Sequence, residues 1–358
     1  MIARILATIA VVLWPVWAQA ADCSNLESDH QGAFSLLFEN DIFFNQDRHY
    51  TTGVGIAYTT PRLLDERKDC NWDWDWGWAV DAARHLPTFD DTDDVRATFQ
   101  LAQDIFTPTD TLRAVPDPTD RPYAGYLYVS IGLASTNLTE DTDALSRWLH
   151  AHGHLDQAQL QVGIIGPASL AGNSQNWVHD ILGENESKGW SHQLRDEPGI
   201  ELTVDRTLRL LLAGEKQGLE IDLLPFYGAA IGNVYDYVNT GAMARIGFGF
   251  EDDFGPLRMN PTLPGVNFFS LKDNGLAEAY IFAGVDARVV GHNIFLDGNT
   301  FHDSPSVDKN LFVGDAMFGF AVAFDRFRLA FTHVIRTREF ISQTSTDQFG
   351  AVSLTVRI

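Results

Sequence analysis

YLYVSIGLA (126–134) and AQLQVGII (158–165) decide the fold. In the first stretch Leu127, Val129, Ile131 and Leu133 fall on one face of an extended chain, and Tyr126, Tyr128, Ser130 and Gly132 on the other. In the second, Ala158, Leu160, Val162 and Ile164 oppose Gln159, Gln161 and Gly163. A period of two marks a β-strand, and an apolar face backed by a small or polar one suits a strand between lipid tails and a polar lumen. The pattern recurs in 277–289, where Ala279, Ile281, Ala283, Val285 and Val289 oppose Glu278, Tyr280, Asp286 and Arg288. Acids and a base on an inward face require a wet or paired interior. The last strand sets Gly350, Val352, Leu354, Val356 and Ile358 against Ala351, Ser353, Thr355 and Arg357.

Comparable runs lie near 33–43, 51–60, 95–106, 125–136, 156–166, 199–213, 219–233, 241–251, 277–290, 310–324, 326–340 and 349–358, twelve in all. An even number of antiparallel strands closes into an up-and-down barrel without edges and leaves both termini on one side, the periplasmic side in bacterial outer membranes. A secreted β-sandwich also alternates, but its core does not carry so consistent a small and polar face. The expected fold is an all-β, closed antiparallel transmembrane barrel of about twelve strands, with a short helix in one outward loop.

The amino terminus points to export. Arg4 is followed by an uncharged, largely apolar stretch from Ile5 to Trp17 and by Ala18-Gln19-Ala20, a small-x-small cleavage site. Residues 1–20 read as a signal peptide and 21–358 as the barrel domain. A membrane anchor is the alternative, but about 13 apolar residues rise only about 20 Å as a helix, short of a bilayer core. Beyond Ala21 no window offers about 18 consecutive apolar residues. The 358-residue chain carries 25 Lys+Arg against 48 Asp+Glu, a net charge of −23, which excludes nucleic acid as a natural partner. Two cysteines are too few for a thiolate zinc site or a disulfide scaffold. Cys23 and Cys70 fall on the same side of the barrel, in a compartment that permits a disulfide.

Residues 71–78 carry Trp72, Trp74, Trp76 and Trp78 between acids and a glycine, a composition suited to an interfacial girdle; no glycine stands at the sixth position of a calcium-loop frame. The two longest outward loops, about 107–124 and 167–198, are where function concentrates. In the second, Ser174 is expected to cap a helix running to Gly183, with Trp177, Val178, Ile181 and Leu182 as an apolar stripe and His179 off it, against the barrel wall.

No G-x-S-x-G, H-E-x-x-H or G-x-x-x-x-G-K-[ST] motif is present, which removes support for α/β-hydrolase, zincin and P-loop chemistry. Hard oxygen ligands and an imidazole remain. Asn40 and Asp41 stand at the outer end of the first strand and offer amide and carboxylate oxygens to Ca²⁺, provided the strand bulges or ends there. Alternation places Thr51 on the lumen face. Arg113 offers permanent charge to an oxyanion. His179 is a candidate general base, since imidazoles titrate near pH 6.5 as a class. Each of these also has an ordinary reading, as turn chemistry, a solvated loop charge or a packed histidine.

Four ordered stretches, FENDIFFNQDRHYTTGVGIAY (38–58), LAQDIFTPTD (101–110), DRPYAGYLY (120–128) and VGIIGPASLAGNSQNWVHDILGENESKGW (162–190), resemble the outer-membrane lipid A 3′-O-deacylases of the LpxR type. The resemblance implies a twelve-stranded barrel that removes the 3′-linked acyloxyacyl group of lipid A and requires Ca²⁺. It places the calcium-associated pair on Asn40 and Asp41, the essential threonine on Thr51 and the catalytic histidine on His179. Arg113 stands where the family carries a lysine, and Asn185, flanked by Glu184 and Glu186, where it carries a glutamate. The chain ends in Ile358 where many such barrels end in Phe.

The expected reaction is ester hydrolysis by water, with His179 as base, Ca²⁺ and Arg113 at the oxyanion, Thr51 positioning substrate or water, and Glu184 orienting the imidazole. Lipopolysaccharide would be the substrate and outer-membrane lipids the surroundings of a monomer. A catalytically silent channel or structural barrel, and an outer-membrane phospholipase, are the competing expectations.

Overall fold

The computed structural model describes residues 32–44, 48–63, 94–138, 144–149, 151–183, 185–214, 218–250, 253–259 and 276–358. The expected signal peptide, Cys23, Cys70, the tryptophan-rich stretch and Glu184 lie outside the described residues.

Thirteen strand segments form one sheet: β1 Ala33–Asn40, β2 His49–Thr59, β3 Asp94–Thr107, β4 Ala124–Asn137, β5 His154–Ile165, β6 Glu197–Leu208, β7 Leu210–Gly214, β8 Glu220–Gly232, β9 Tyr235–Phe248, β10 Leu276–Asn293, β11 Phe312–Phe324, β12 Phe327–Arg336 and β13 Asp347–Arg357. β6 and β7 are two pieces of one stave, interrupted at Arg209, and both pair with β8. The barrel therefore has twelve staves, as the alternation predicts. Each pairs antiparallel with its neighbours, and β1 closes the ring on β13 with Ala33 opposite Arg357 and Asn40 opposite Gly350. Three short helices accompany them: α1 Ala144–Leu149, α2 Ala171–Leu182 and α3 Ile294–Asp297. No helix among the described residues is long and apolar enough to cross a membrane.

The faces follow the predicted alternation. Val129, Ile131, Leu160, Val162, Ile281 and Val285 are exposed on the outer wall, while Tyr126, Tyr128, Gln161, Asp286 and Arg288 are buried inside. Many of the charged groups described in the interior are paired. Arg206 holds Asp156 through two 2.7 Å bonds, Arg336 holds Asp315 through two of 2.8 Å, and Arg288 reaches Asp315 at 2.9 Å. Such pairs offset the penalty of removing charge from water.

The lumen is also crossed by chain. Between β9 and β10, Asp253 binds Arg245 at 3.0 Å and also Arg328, while Arg258 Nε donates to Glu39 of β1 at 3.1 Å and the Met259 N–H to the same carboxylate at 3.1 Å. Phe254 and Met259 are buried in the central cluster. Residues 253–259 thus span the barrel from the β9 and β12 side to β1.

Candidate functional site

The outward face of the first three strands changes character near its upper end. On β1 it reads Phe34, Leu36, Phe38 and then Asn40; on β2, from the lower end, Tyr58, Ile56, Val54 and then Thr52; on β3, Phe99, Leu101 and then Gln103, Ile105 and Thr107. Polar side chains in lipid-facing positions are costly unless covered and hydrogen-bonded. Here they are both. Asn40 Nδ2 donates to Thr52 Oγ1 at 2.7 Å, Thr51 Oγ1 and Thr107 Oγ1 lie 2.7 Å apart, and Gln103 Nε2 donates to the Ser169 carbonyl at 2.6 Å.

The cover is α2. A 3-10 turn at Pro167–Ser169 leads through Leu170, which takes the left-handed conformation at φ 61°, into the helix at Ala171. Gly125 of β4 makes the approach possible, because a Cβ there would overlap Ala171 and Ser169. Ile105, Tyr123, Ala171 and Trp190 form a cluster of their own outside the barrel core. Ala171, Gln175 and His179, four residues apart, are the buried stripe, with His179 only 7% exposed. Trp177 and Ile181 face away at 58% and 38% exposure.

Two expectations are corrected. Ser174 is not the cap: its N–H bonds the Leu170 carbonyl as part of the helix, which starts three residues earlier because the Pro167 turn feeds directly into it. Thr51 does not face the lumen. A bulge between Tyr50 and Thr52 adds a residue to β2, so that Tyr50 points inward to Asp104 while Thr51 joins Thr107 on the outer wall.

Asn40 and Asp41 stand at the end of β1. The strand ends at Asn40, and Asp41 opens a 3-10 turn over Asp41–Phe44 that folds across the outer wall, with Phe43 against Phe38 and Phe331. Asn40 Oδ1 accepts the Ile42 N–H at 2.7 Å and Asp41 Oδ2 the Arg48 N–H at 2.6 Å. Amide and carboxylate oxygens accept more than one bond each, so this buried oxygen set fits the donor chemistry of calcium. Among the described residues no three His, Cys, Asp or Glu side chains converge on a metal position.

His179 Nδ1 lies 2.6 Å from the Asn185 main-chain oxygen. A carbonyl only accepts, so Nδ1 carries a proton. Glu186 is exposed. Arg113, by contrast, is turned to solvent, where Nη1 meets Asp117 at 3.2 Å with both side chains nearly half exposed.

Inside the mouth a second histidine is engaged structurally. His49 Nδ1 lies 2.7 and 2.8 Å from the two Asp347 oxygens and Nε2 3.5 Å from Asp120. Burial pushes the Asp120 carboxyl up, but bonds from His49 and Thr109 outweigh it and hold the group at about 2. Residues the sequence reading missed are Thr107, Gln103, Thr52, Gln175 and Asn176. For the three strand residues, Thr107, Gln103 and Thr52, the signal was the loss of apolar residues from the outward register of neighbouring strands.

The model of the family described as outer membrane protein LpxR matches residues 5–358. The chain belongs to the LpxR family. It is accordingly an integral outer-membrane β-barrel. Among solved structures, LpxR from Salmonella typhimurium superposes with a TM-score of 0.68 at 19% identity, covering 90% of this chain and 99% of that one. The LpxR fold is thereby matched over nearly the whole barrel. Two autotransporter barrels are matched more loosely. The transport unit of AIDA-I from Escherichia coli has a TM-score of 0.37 and 9% identity over 98% of this chain and 97% of that one. The β domain of Bordetella BrkA has 0.41 and 8% over 92% and 100%. No curated protein matches the chain.

Proposed function

We propose that this barrel is a calcium-dependent lipid A deacylase that hydrolyses the 3′-O-linked acyloxyacyl ester. The observation that carries the reading is a buried histidine whose Nδ1 is held by the Asn185 carbonyl, on a helix packed against the outside of the barrel wall. A base in that place serves an ester that remains in the membrane better than one in solution.

In this reading His179 Nε2 takes a proton from water, and the oxygen left behind attacks the ester carbonyl. The Nδ1–H bond to Asn185 keeps the ring in the tautomer this requires. The same imidazole then returns its proton to the departing sugar oxygen. Asn40 and Asp41 would hold Ca²⁺, which supplies positive charge to the ester oxygen as negative charge builds there. Thr51, paired with Thr107, positions the substrate or its water. Arg113 exchanges Asp117 for the anionic headgroup, and Trp177 and Ile181 face the acyl chains. Glu184 as an orienting acid is not needed when a carbonyl already holds Nδ1.

The lumen supports an enzyme over a channel, because Arg245, Asp253, Phe254 and Met259 pack across it. The test is to incubate the purified protein in detergent with calcium and either lipid A or glycerophospholipid. Release of a 3′-acyloxyacyl group is expected. Lysophospholipid in its place would select a phospholipase, and no product from folded protein would select a silent barrel.

A further inference from the structure

We infer that Asn176 is a positioning residue for the base: by holding the main chain at Ser187 it presents the Asn185 carbonyl to His179 Nδ1. The inference rests on the reading of His179 as the base. Asn176 and His179 stand three residues apart on α2, so their side chains project to the same side of the helix. Asn176 Oδ1 accepts the Ser187 N–H at 3.0 Å, two residues beyond the carbonyl that His179 bonds at 2.6 Å. The helix ends at Gly183, left-handed at φ 75°, where the chain can reverse toward its own last turn.

The same returning segment is tied elsewhere. The Lys188 N–H bonds the Thr111 carbonyl at 2.9 Å, and Trp190 Nε1 donates to Gln175 Oε1 at 2.8 Å. The first ties the segment to the loop after β3, and the second, further along the chain, to α2. Asn176 is the tie nearest the carbonyl, and it links that carbonyl to the very helix that carries the imidazole. A main-chain oxygen carries no ionisable charge, so it orients the ring without titrating, and its placement depends wholly on how the backbone is held. In this chain, where Asn185 offers no carboxylate, the orienting duty passes to the peptide bond and the control of it to Asn176.

The test uses full-length protein labelled with ¹⁵N-histidine, refolded in detergent micelles, with the His179 signal assigned by its disappearance in His179→Gln. At a pH where the ring is neutral, the wild type is expected in the Nδ1–H form, and Asn185→Ala is expected to keep that form because the carbonyl remains. Asn176→Ala, with Asn176→Leu as a second variant of similar volume, should shift the ring toward the Nε2–H form. Both should lower kcat by about tenfold to a hundredfold while KM stays within about twofold. Asn176→Asp, which keeps the acceptor for Ser187, should restore both readouts. An unchanged tautomer in Asn176→Ala and Asn176→Leu, or loss of the Nδ1–H form in Asn185→Ala, overturns the inference. The expected tautomer pattern with no turnover of lipid A by any form leaves the positioning intact and removes the deacylase reading instead.

Discussion

Thr51 Oγ1 and Thr107 Oγ1 lie 2.7 Å apart on the outer wall of the barrel, although strict alternation would turn Thr51 into the lumen. The bulge that moves it brings it to the face that carries Asn40, Thr52 and the docking surface of α2. Thr51→Val removes the hydroxyl while keeping the branched shape. It should reduce lipid A deacylation by at least about tenfold and destabilise the barrel by only about 1 kcal/mol. Thr51→Ser should recover most of the rate. Turnover and urea unfolding in the same detergent check both.

Asp41 is the one carboxylate of the proposed calcium pair. Calcium should raise the melting temperature of the wild type, since a ligand that binds only the folded state stabilises it. Asp41→Asn keeps an acceptor for the Arg48 N–H but removes the charge. It should abolish that rise and lower turnover about a hundredfold or more, on the scale of losing an oxyanion donor. Chelation of the wild type with EGTA should match the variant. Turnover that survives both would remove calcium from the mechanism.

Arg113 lies in solvent against Asp117, so its loss should leave the melting temperature unchanged. Arg113→Ala should nonetheless slow deacylation several-fold, and Arg113→Lys should keep it, because a point charge suffices where no bidentate geometry is built. Equal rates for Arg113→Ala and wild type would return this arginine to an ordinary surface role.

At the inner mouth, Asp120 contributes stability through its lowered pKa. A carboxyl held below its unfolded value stabilises the fold above that value, about 4, and the contribution disappears as pH falls toward about 2. Melting temperatures of the wild type should therefore drop more steeply between about pH 4 and pH 2 than those of Asp120→Asn. Parallel curves would mean that the bonds from His49 and Thr109 do not favour the charged form.

Arg245 lies fully buried between Asp222, at 2.6 Å, and Asp253, at 3.0 Å. Arg245→Met leaves two carboxylates without their shared cation. It should destabilise the barrel by about 3–5 kcal/mol, seen as a lower urea midpoint. A loss below about 1 kcal/mol would show that Arg209, also bonded to Asp222 at 3.0 Å, and Arg328, also bonded to Asp253, take over the pairing.

The staves were legible because each strand's own residues record which face meets lipid. Val129 and Ile131 against Tyr128 and Ser130 need no knowledge of their neighbours. Asn40, Asp41 and His179 were legible as candidates only, and the end of β1 at Asn40 is a structural fact beside them. What was hidden depends on relations between segments. The bulge at Thr51 follows from how β2 registers against β3. The start of α2 follows from a 3-10 turn rather than from Ser174. The orienting group for His179 is a main-chain oxygen, and every residue has one, so no side-chain pattern could mark Asn185.

The most direct measurement is mass spectrometry of lipid A from Gram-negative cells that express the protein in their outer membrane, beside cells that express His179→Ala at equal level. Loss of the 3′-acyloxyacyl mass in the first culture, with intact lipid A in the second, is the predicted result. Intact lipid A in both, with the wild-type barrel folded in the membrane and calcium present, or deacylated lipid A in both, would contradict it.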